Sequence, residues 1–301
     1  MLHLLAQGPA PNKFADFIDK VARTPLSQVV YFVLACTLIR VFIYPYLVKT
    51  KPHNRTGAYT FARFMNESLD AVIYAGVFVF LLIRPFCIQA FKIPSGSMLE
   101  TLQINDYIVA NKAIYRYTDP QFGDIVVFKP PMRALREDQY GTDVDFIKRC
   151  IGLPGDTIEI KAGVLYRNGQ AVNEKWVHYL VPLDHQGMKN RKASPEEKEM
   201  QLRDFKLVFY QDKYWPLTIN GSQVNGEWGR SAPEFMPENQ QVNDELLALP
   251  PAKIPPKHYL MIGDNRFNSF DGRGWGLVPR EDIIGRSEFV WFPPGRWGST
   301  D

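Results

Sequence analysis

Two apolar stretches near the start of the chain, Leu26 to Val48 and Leu69 to Phe91, restrict its fold more than any other feature. Roughly 20 apolar residues in helical form cross a bilayer core. Arg40 and Pro45 interrupt the first stretch, and Asp70, Arg84 and Pro85 interrupt the second. Each reaches spanning length when its arginine snorkels toward an interface. The same composition suits two buried helices of a soluble protein or, for the first stretch, a cleaved leader. Against a leader, the stretch starts late and no small-x-small site clearly follows it. The expectation is two transmembrane helices, 26–48 and 69–91, with an N-terminal segment 1–25 and a connecting loop 49–68.

Loop charge gives the orientation. Lys49, Lys51, Arg55 and Arg63 lie between the stretches, with no acid before Glu67. Ahead of the first stretch, Lys13, Lys20 and Arg23 are interleaved with Asp16 and Asp19. The positive-inside rule counts lysine and arginine close to the spans. It places the middle loop in the cytoplasm and the N-terminus and residues 92–301 outside. Arg40, near the inner end of the first stretch, agrees.

After Phe91 the texture changes. Asp106 to Asn111, Asp124 to Lys129, Asp156 to Lys161 and His258 to Ile262 are short β-branched or aromatic runs bounded by Gly, Pro, Asn and Asp, which read as strands of a sandwich or barrel-like domain. Val164 to Val172 reads as a hairpin with Asn168-Gly169 at its turn. Ser194-Pro195-Glu196-Glu197 supplies a cap, a first-turn proline and a capping-box glutamate, predicting a helix from Pro195 to Asp204. Ala232 to Pro256, rich in Pro, Asn and Gln, reads as a long exposed connection. At 46% apolar residues the chain can bury a core, and a formal charge of +3 suits a protein beside an anionic membrane without pointing to nucleic acid. Three cysteines cannot build a disulfide framework, and Cys36, Cys87 and Cys150 read as small apolar fillers. The five histidines show no metal-ligand spacing, so neither metal nor cofactor is expected.

Ser97 stands in Ile93-Pro94-Ser95-Gly96-Ser97-Met98, directly after the second apolar stretch. A hydroxyl nucleophile needs a base, and no histidine is near it in sequence. Lys148 in Asp145-Phe146-Ile147-Lys148-Arg149 is the candidate. On a strand, Phe146, Lys148 and Cys150 share one face, while Ile147 and Arg149 take the other. An inward lysine loses hydration, which disfavours its charged form. To serve as a base near neutrality its pKa must fall from about 10.4 by roughly 3–4 kcal/mol of differential interaction. Arg149, on the opposite face, is the salt-bridge residue. Further on stands Gly263-Asp264-Asn265-Arg266-Phe267-Asn268-Ser269. Taken singly, each motif is an ordinary loop or a solvated lysine. Three in this order after an apolar anchor are not.

The pattern resembles the type I signal peptidases (leader peptidases), membrane-anchored Ser/Lys proteases, from about Ala71 to about Val290. The resemblance implies a mainly β fold: two N-terminal transmembrane helices, then a β-rich Ser/Lys peptidase domain with a variable insertion at about 174–256. It implies Ser97 and Lys148 as the catalytic pair, and Ser95 with the Ser97 backbone N–H as the oxyanion hole. Ser269 falls where the family orients the lysine, and Asp271 and Arg273 where it braces the site. Phe91, Ile93, Met98, Leu102, Phe146 and Ile147 fall near two shallow apolar pockets that accept small side chains. Glu100 stands where many relatives have proline, and its carboxylate is expected to face solvent. The implied partners are signal peptides of exported preproteins and membrane lipid, with no nucleic acid and a monomeric enzyme. The implied location is a bacterial cytoplasmic (inner) membrane, with the catalytic domain on its outer face. Other readings remain at this point. One is a relative dedicated to a single secretion, conjugation or pilus substrate. Another is a non-enzymatic membrane-anchored β assembly factor, in which Ser97 and Lys148 would lie far apart. A soluble self-cleaving repressor would lack the apolar stretches.

Overall fold

Leu26–Lys49 forms helix α1, and Gly57–Val77 forms α2, continued by a π-helical turn over Phe78–Ile83. The computed structural model describes residues 24–83, 87–135, 139–183, 190–220, 223–225 and 240–300, so the expected segment 1–25 lies almost wholly outside the described residues. The described residues form two compact units, one ending at Ala90 and the other running from Phe91 onward. Both helices are long and apolar enough to cross a membrane. The second differs from the hydropathy reading, since it starts at Gly57 rather than Leu69, and Ile88–Lys92 is a strand. Hydropathy registers Arg63, Asn66, Glu67 and Asp70 as a break, but charged side chains do not end a helix. Arg63 and Glu67 pair at 2.8 Å across one turn, which supports helix there. Arg40 also departs from the snorkelling expectation. Its guanidinium pairs with Asp70 of α2, and its Nε donates to Asn66 Oδ1 at 3.3 Å.

The β-rich part starts with β1 (Ile88–Lys92), β2 (Tyr107–Asn111), β3 (Ile125–Phe128) and β4 (Phe146–Gly152). It continues through β5 (Ile158–Lys161), β6 (Val164–Arg167), β7 (Gln170–Val172), β8 (Leu180–Pro182), β9 (Asn190–Lys192), α3 (Pro195–Gln201), β10 (Asp204–Tyr210), β11 (Lys213–Asn220), β12 (Gln223–Asn225) and α4 (Gln240–Ala248). The return comprises β13 (His258–Ile262), α5 (Gly272–Trp275), β14 (Leu277–Pro279), β15 (Ile283–Phe292) and β16 (Gly298–Ser299). One sheet has the order β1-β2-β15-β3-β4-β13-β14, with β16 against β15. A second has the order β12-β11-β10-β5-β6-β7, and β8 pairs with β9.

The first sheet is buried on both faces. Along β3, Val126 and Phe128 join a cluster with Cys150, Met261 and Trp275, while Ile125 and Val127 join Ile93, Met98, Ile108 and Val290. That double burial explains the unbroken apolar run of β3. In the second sheet the β6–β7 turn places Asn168 and Gly169 at φ 53° and 79°, both in the left-handed region that a two-residue hairpin of this hand requires. The capping box forms as read: Glu197 N donates to Ser194 Oγ at 3.2 Å and Ser194 N to Glu197 Oε2 at 2.8 Å. The helix ends at Gln201 because Asp204 already belongs to β10.

The expected exposed connection from Ala232 to Pro256 needs correction as well. Residues 232–239 lie outside the described residues, but Gln240–Ala248 is helical and seals Leu246 against Val208, Trp215 and Leu217. Nor is the stretch from Glu174 onward an appendage. Its strand β10 pairs with β5, Phe205 opposite Ile160, so one sheet unites segments before and within it.

Candidate active site

Lys148 lies mid-strand in β4, between β3 and β13, opposite Val126. Ser97 sits in a single 3₁₀ turn, Gly96–Met98, that follows an extended Ser95. The two meet: Lys148 Nζ donates to Ser97 Oγ at 2.7 Å and to the Ile147 carbonyl at 2.9 Å. Both residues are buried, at 5% and 6% exposure. The strand alternation read from sequence holds. Lys148 lies on the side of Phe146 and Cys150, and Arg149 pairs with Asp264 from the other side.

Burial pushes the Lys148 pKa down to about 8, against the pull of Asp271 and Asp264 and with help from Arg273. Each carboxylate carries its own guanidinium. Asp271 accepts from Arg273 Nε at 2.8 Å and Nη2 at 2.9 Å, and Asp264 accepts from Arg149 Nε at 2.9 Å and Nη2 at 2.7 Å. These pairings blunt both negative fields at the lysine, so desolvation prevails. Burial disfavours the Asp271 carboxylate, but the charge of Arg273 and its hydrogen bonds hold the pKa below the ordinary value. Burial raises the Cys150 thiol well above its usual range, which leaves it a packing residue rather than a nucleophile.

The Gly263–Ser269 loop fastens the nucleophile from behind. Asn265 N donates to the Ser97 carbonyl at 3.0 Å and Asn265 Nδ2 to the Gly96 carbonyl at 3.2 Å. A Cβ on Gly263 would lie 2.2 Å from Ser269 Oγ and 2.6 Å from the Ser97 carbonyl oxygen. Only glycine allows this approach. Thr101 Oγ1 donates to Asp264 Oδ2 at 2.6 Å, tying the segment after Ser97 to the same loop.

Two groups of expected site residues are placed differently. Ser269 is 3% exposed and sits against Gly263, but its hydroxyl has no hydrogen-bond partner among the described residues. Lys148 Nζ is held by Ser97 Oγ and the Ile147 carbonyl. Ile93, Met98 and Leu102 are at most 1% exposed, with Phe91 at 6%, and all four pack in one core cluster. Phe146 and Ile147 are partly exposed and can form a wall. Ser95 is exposed two residues before Ser97, and Glu100 is also exposed.

Some residues of the site escaped the sequence reading. Arg266 and Glu174 form a buried pair at 2.5 Å, and the Arg149 guanidinium lies 4.6 Å from the Trp176 ring centroid. His178 N donates to the Asp264 carbonyl at 2.8 Å. Residues 174–178 thus buttress the loop behind Ser97. No local spacing announces such pairings. Among the described residues, no group of His, Cys, Asp and Glu side chains is placed to hold a metal ion.

A buried serine hydroxyl bonded to a desolvated lysine, on a β scaffold, is the arrangement of a serine hydrolase whose base is an amine. The family model for signal peptidase, peptidase S26, matches residues 65–292. A probable signal peptidase I-1 of Synechocystis sp. is 31% identical over 236 residues, covering 78% of this chain and 87% of the relative. The signal peptidase I of Leptolyngbya laminosa is 32% identical over 216 residues, covering 72% and 74%, and that of Pseudomonas fluorescens 32% over 238 residues, covering 71% and 68%. A crystal structure of a signal peptidase I from Enterococcus faecalis V583 aligns at a TM-score of 0.30 and 22% identity, covering 56% of this chain and 97% of that one. The chain belongs to the signal peptidase family, peptidase S26. It is a serine endopeptidase, and its reaction is the cleavage of signal peptides.

Proposed function

We propose that Ser97 is the nucleophile and Lys148 the general base of this cleavage, on the outer face of a bacterial cytoplasmic membrane. The 2.7 Å contact between two buried groups carries the reading. With Nζ neutral, the contact runs the other way, Ser97 O–H donating to the amine lone pair. As Oγ attacks the peptide carbonyl, Lys148 takes its proton and then delivers it to the leaving amine. The Ser97 backbone N–H and the Ser95 hydroxyl stabilise the oxyanion, each such donor being worth about 2.7–4 kcal/mol in the transition state. Water activated by Lys148 then hydrolyses the acyl-enzyme. Asp271 and Arg273 brace the loop that holds the Ser97 backbone.

Phe146 and Ile147, above the floor of Phe91, Ile93, Met98 and Leu102, admit small side chains and exclude large ones. Both members of the dyad come from one chain, which supports a monomeric enzyme. Residues 174–256 are a family-variable insertion built onto the second sheet.

Helices α1 and α2 span the membrane. The connection between them carries Lys51 and Arg55, with Lys49 closing α1, so the positive-inside rule places it in the cytoplasm and Ser97 outside. Few residues separate Ser97 from Ile83, the last described residue of the second helix. The site therefore lies near the bilayer, where a signal peptide still anchored in lipid presents its cleavage point.

Labelling with a membrane-impermeant thiol reagent tests the topology. In intact cells, after removal of the native cysteines and permeabilisation of any outer membrane, Lys192→Cys labels and His53→Cys does not. The reverse pattern rejects the topology.

A further inference from the structure

A cavity of about 410 Å³ lies against the far side of the site, lined by Ser269, Asp271 and Arg273 but by neither Ser97 nor Lys148. Its size is that of a small-molecule site, and its wall chemistry is lopsided. Arg203, Arg266 and Arg273 line it against a single carboxylate, Asp271, and that carboxylate is already committed to Arg273 through two hydrogen bonds. A guanidinium offers five N–H donors. Arg266 bonds through Nε and Nη2 to the Gly263 carbonyl and Glu174, and Arg273 bonds through Nε and Nη2 as well. The Nη1 groups of both therefore have no hydrogen-bond partner among the described residues. Arg203 uses only Nη1, donating to the Met200 and Leu202 carbonyls. Tyr179, Phe205 and Phe267 supply the aromatic part of the wall, beside Gln201 and Thr218, with Tyr179 and Phe267 packed edge-on at a centroid distance of 5.0 Å. Ser269, more than nine-tenths buried, lies in the same wall with its hydroxyl sealed from solvent.

We propose that this cavity binds a small organic anion with an apolar body, of the aromatic or short aliphatic carboxylate class. The head lies against the spare N–H groups of the three arginines. The body lies among Tyr179, Phe205 and Phe267. Carboxylates suit this arrangement because guanidinium N–H groups match their oxygens in geometry and charge. The site is separate from the dyad, so its existence does not depend on the cleavage mechanism.

Calorimetric titration of the full chain in detergent micelles tests it, with 3-phenylpropionate as probe and micelles alone as blank. Saturable binding with a Kd of about 1 mM or tighter is expected. The neutral 3-phenylpropanol and the bare anion acetate should each bind at least about tenfold more weakly, a difference of roughly 1.4 kcal/mol. Arg203→Gln should weaken the probe by a similar factor. Gln201→Trp, at an exposed position on the cavity rim, should block it while the protein unfolds at the wild-type temperature. The proposal is overturned by heat no greater than that of micelles, by equal binding of the alcohol, or by undiminished binding in both variants. The readout is heat rather than cleavage, so failure leaves the protease assignment standing.

Discussion

Two lysines point inward from strands of the two large sheets, and they meet opposite fates. Lys148 of β4 is 5% exposed and its Nζ rests on a hydroxyl and one carbonyl. Lys206 of β10 is 8% exposed, and its Nζ donates to the Leu247 and Leu249 carbonyls at 2.8 and 2.6 Å, where α4 ends. A cation at a helix C-terminus meets the negative end of the dipole and satisfies carbonyls that would otherwise be unpaired. Lys206 is thus a structural cap. Burial lowers the proton affinity of both amines, but Lys148 faces carboxylates already matched by arginines, falls to about 8 and has a hydroxyl to deprotonate. Burial alone does not make a base; the company of the amine decides.

The sharpest way to break this contrast is by activity. Ser97→Ala, Lys148→Ala and Lys148→Arg should each reduce cleavage of a small-x-small precursor by about a thousandfold or more. Guanidinium fails because it cannot deprotonate in this range. Lys206→Arg and Lys206→Met should leave kcat/KM within about a factor of two, as expected for a group that touches no reacting atom. Robust cleavage by Lys148→Arg would end the lysine-base mechanism.

The pH profile sharpens it further. The neutral amine is the active form, so kcat/KM should climb about tenfold per pH unit on the acid side and level off above the Lys148 pKa of about 8. A rate already flat from pH 6 upward would contradict the assignment.

Stability supplies the smallest and most discriminating test, because one substitution should act with opposite signs at the two sites. Lys206→Met strands two carbonyls and should cost about 1–3 kcal/mol. Lys148→Met removes a desolvated amine whose pKa falls from 10.5 to about 8 on folding, and should stabilise the protein at neutral pH by up to about 3 kcal/mol. The unfolded chain holds this proton more tightly. The Lys148 contribution to wild-type stability should therefore rise with pH between about 8 and 10.5, and the gain of the variant over wild type should shrink across that window. Chemical unfolding of both variants in detergent at several pH values measures this, and equal signs at the two sites would erase the contrast.

How far each element could be read from the chain follows from the range of the interaction that makes it. The Asn168-Gly169 turn and the Ser194 cap are local, and both form where the sequence puts them. The face of Lys148 follows from strand alternation alone. The partner of Arg149 lies across the fold at Asp264, and Glu174 reaches Arg266, and no short-range pattern encodes either. The start of α2 was hidden because its charges lower hydropathy while leaving the backbone helical. Ile93, Met98 and Leu102 read as pocket or core alike, since both demand apolar side chains, and only packing shows them sealed. Ser269 was placed beside the dyad by motif resemblance, and its burial against Gly263 is set by packing that no local spacing encodes.

The Arg40–Asp70 pair sets a rule for how the chain is made. In the proposed topology, a lone arginine or aspartate at the centre of an inserting helix costs about 2.5–3.5 kcal/mol. Released singly into lipid, α1 would carry Arg40 and α2 would carry Asp70 without that partner, at a cost that falls off from the helix centre toward its ends. Paired across the helices, each charge neutralises its partner, with Asn66 taking a further donor. The unit of insertion is therefore the two-helix hairpin.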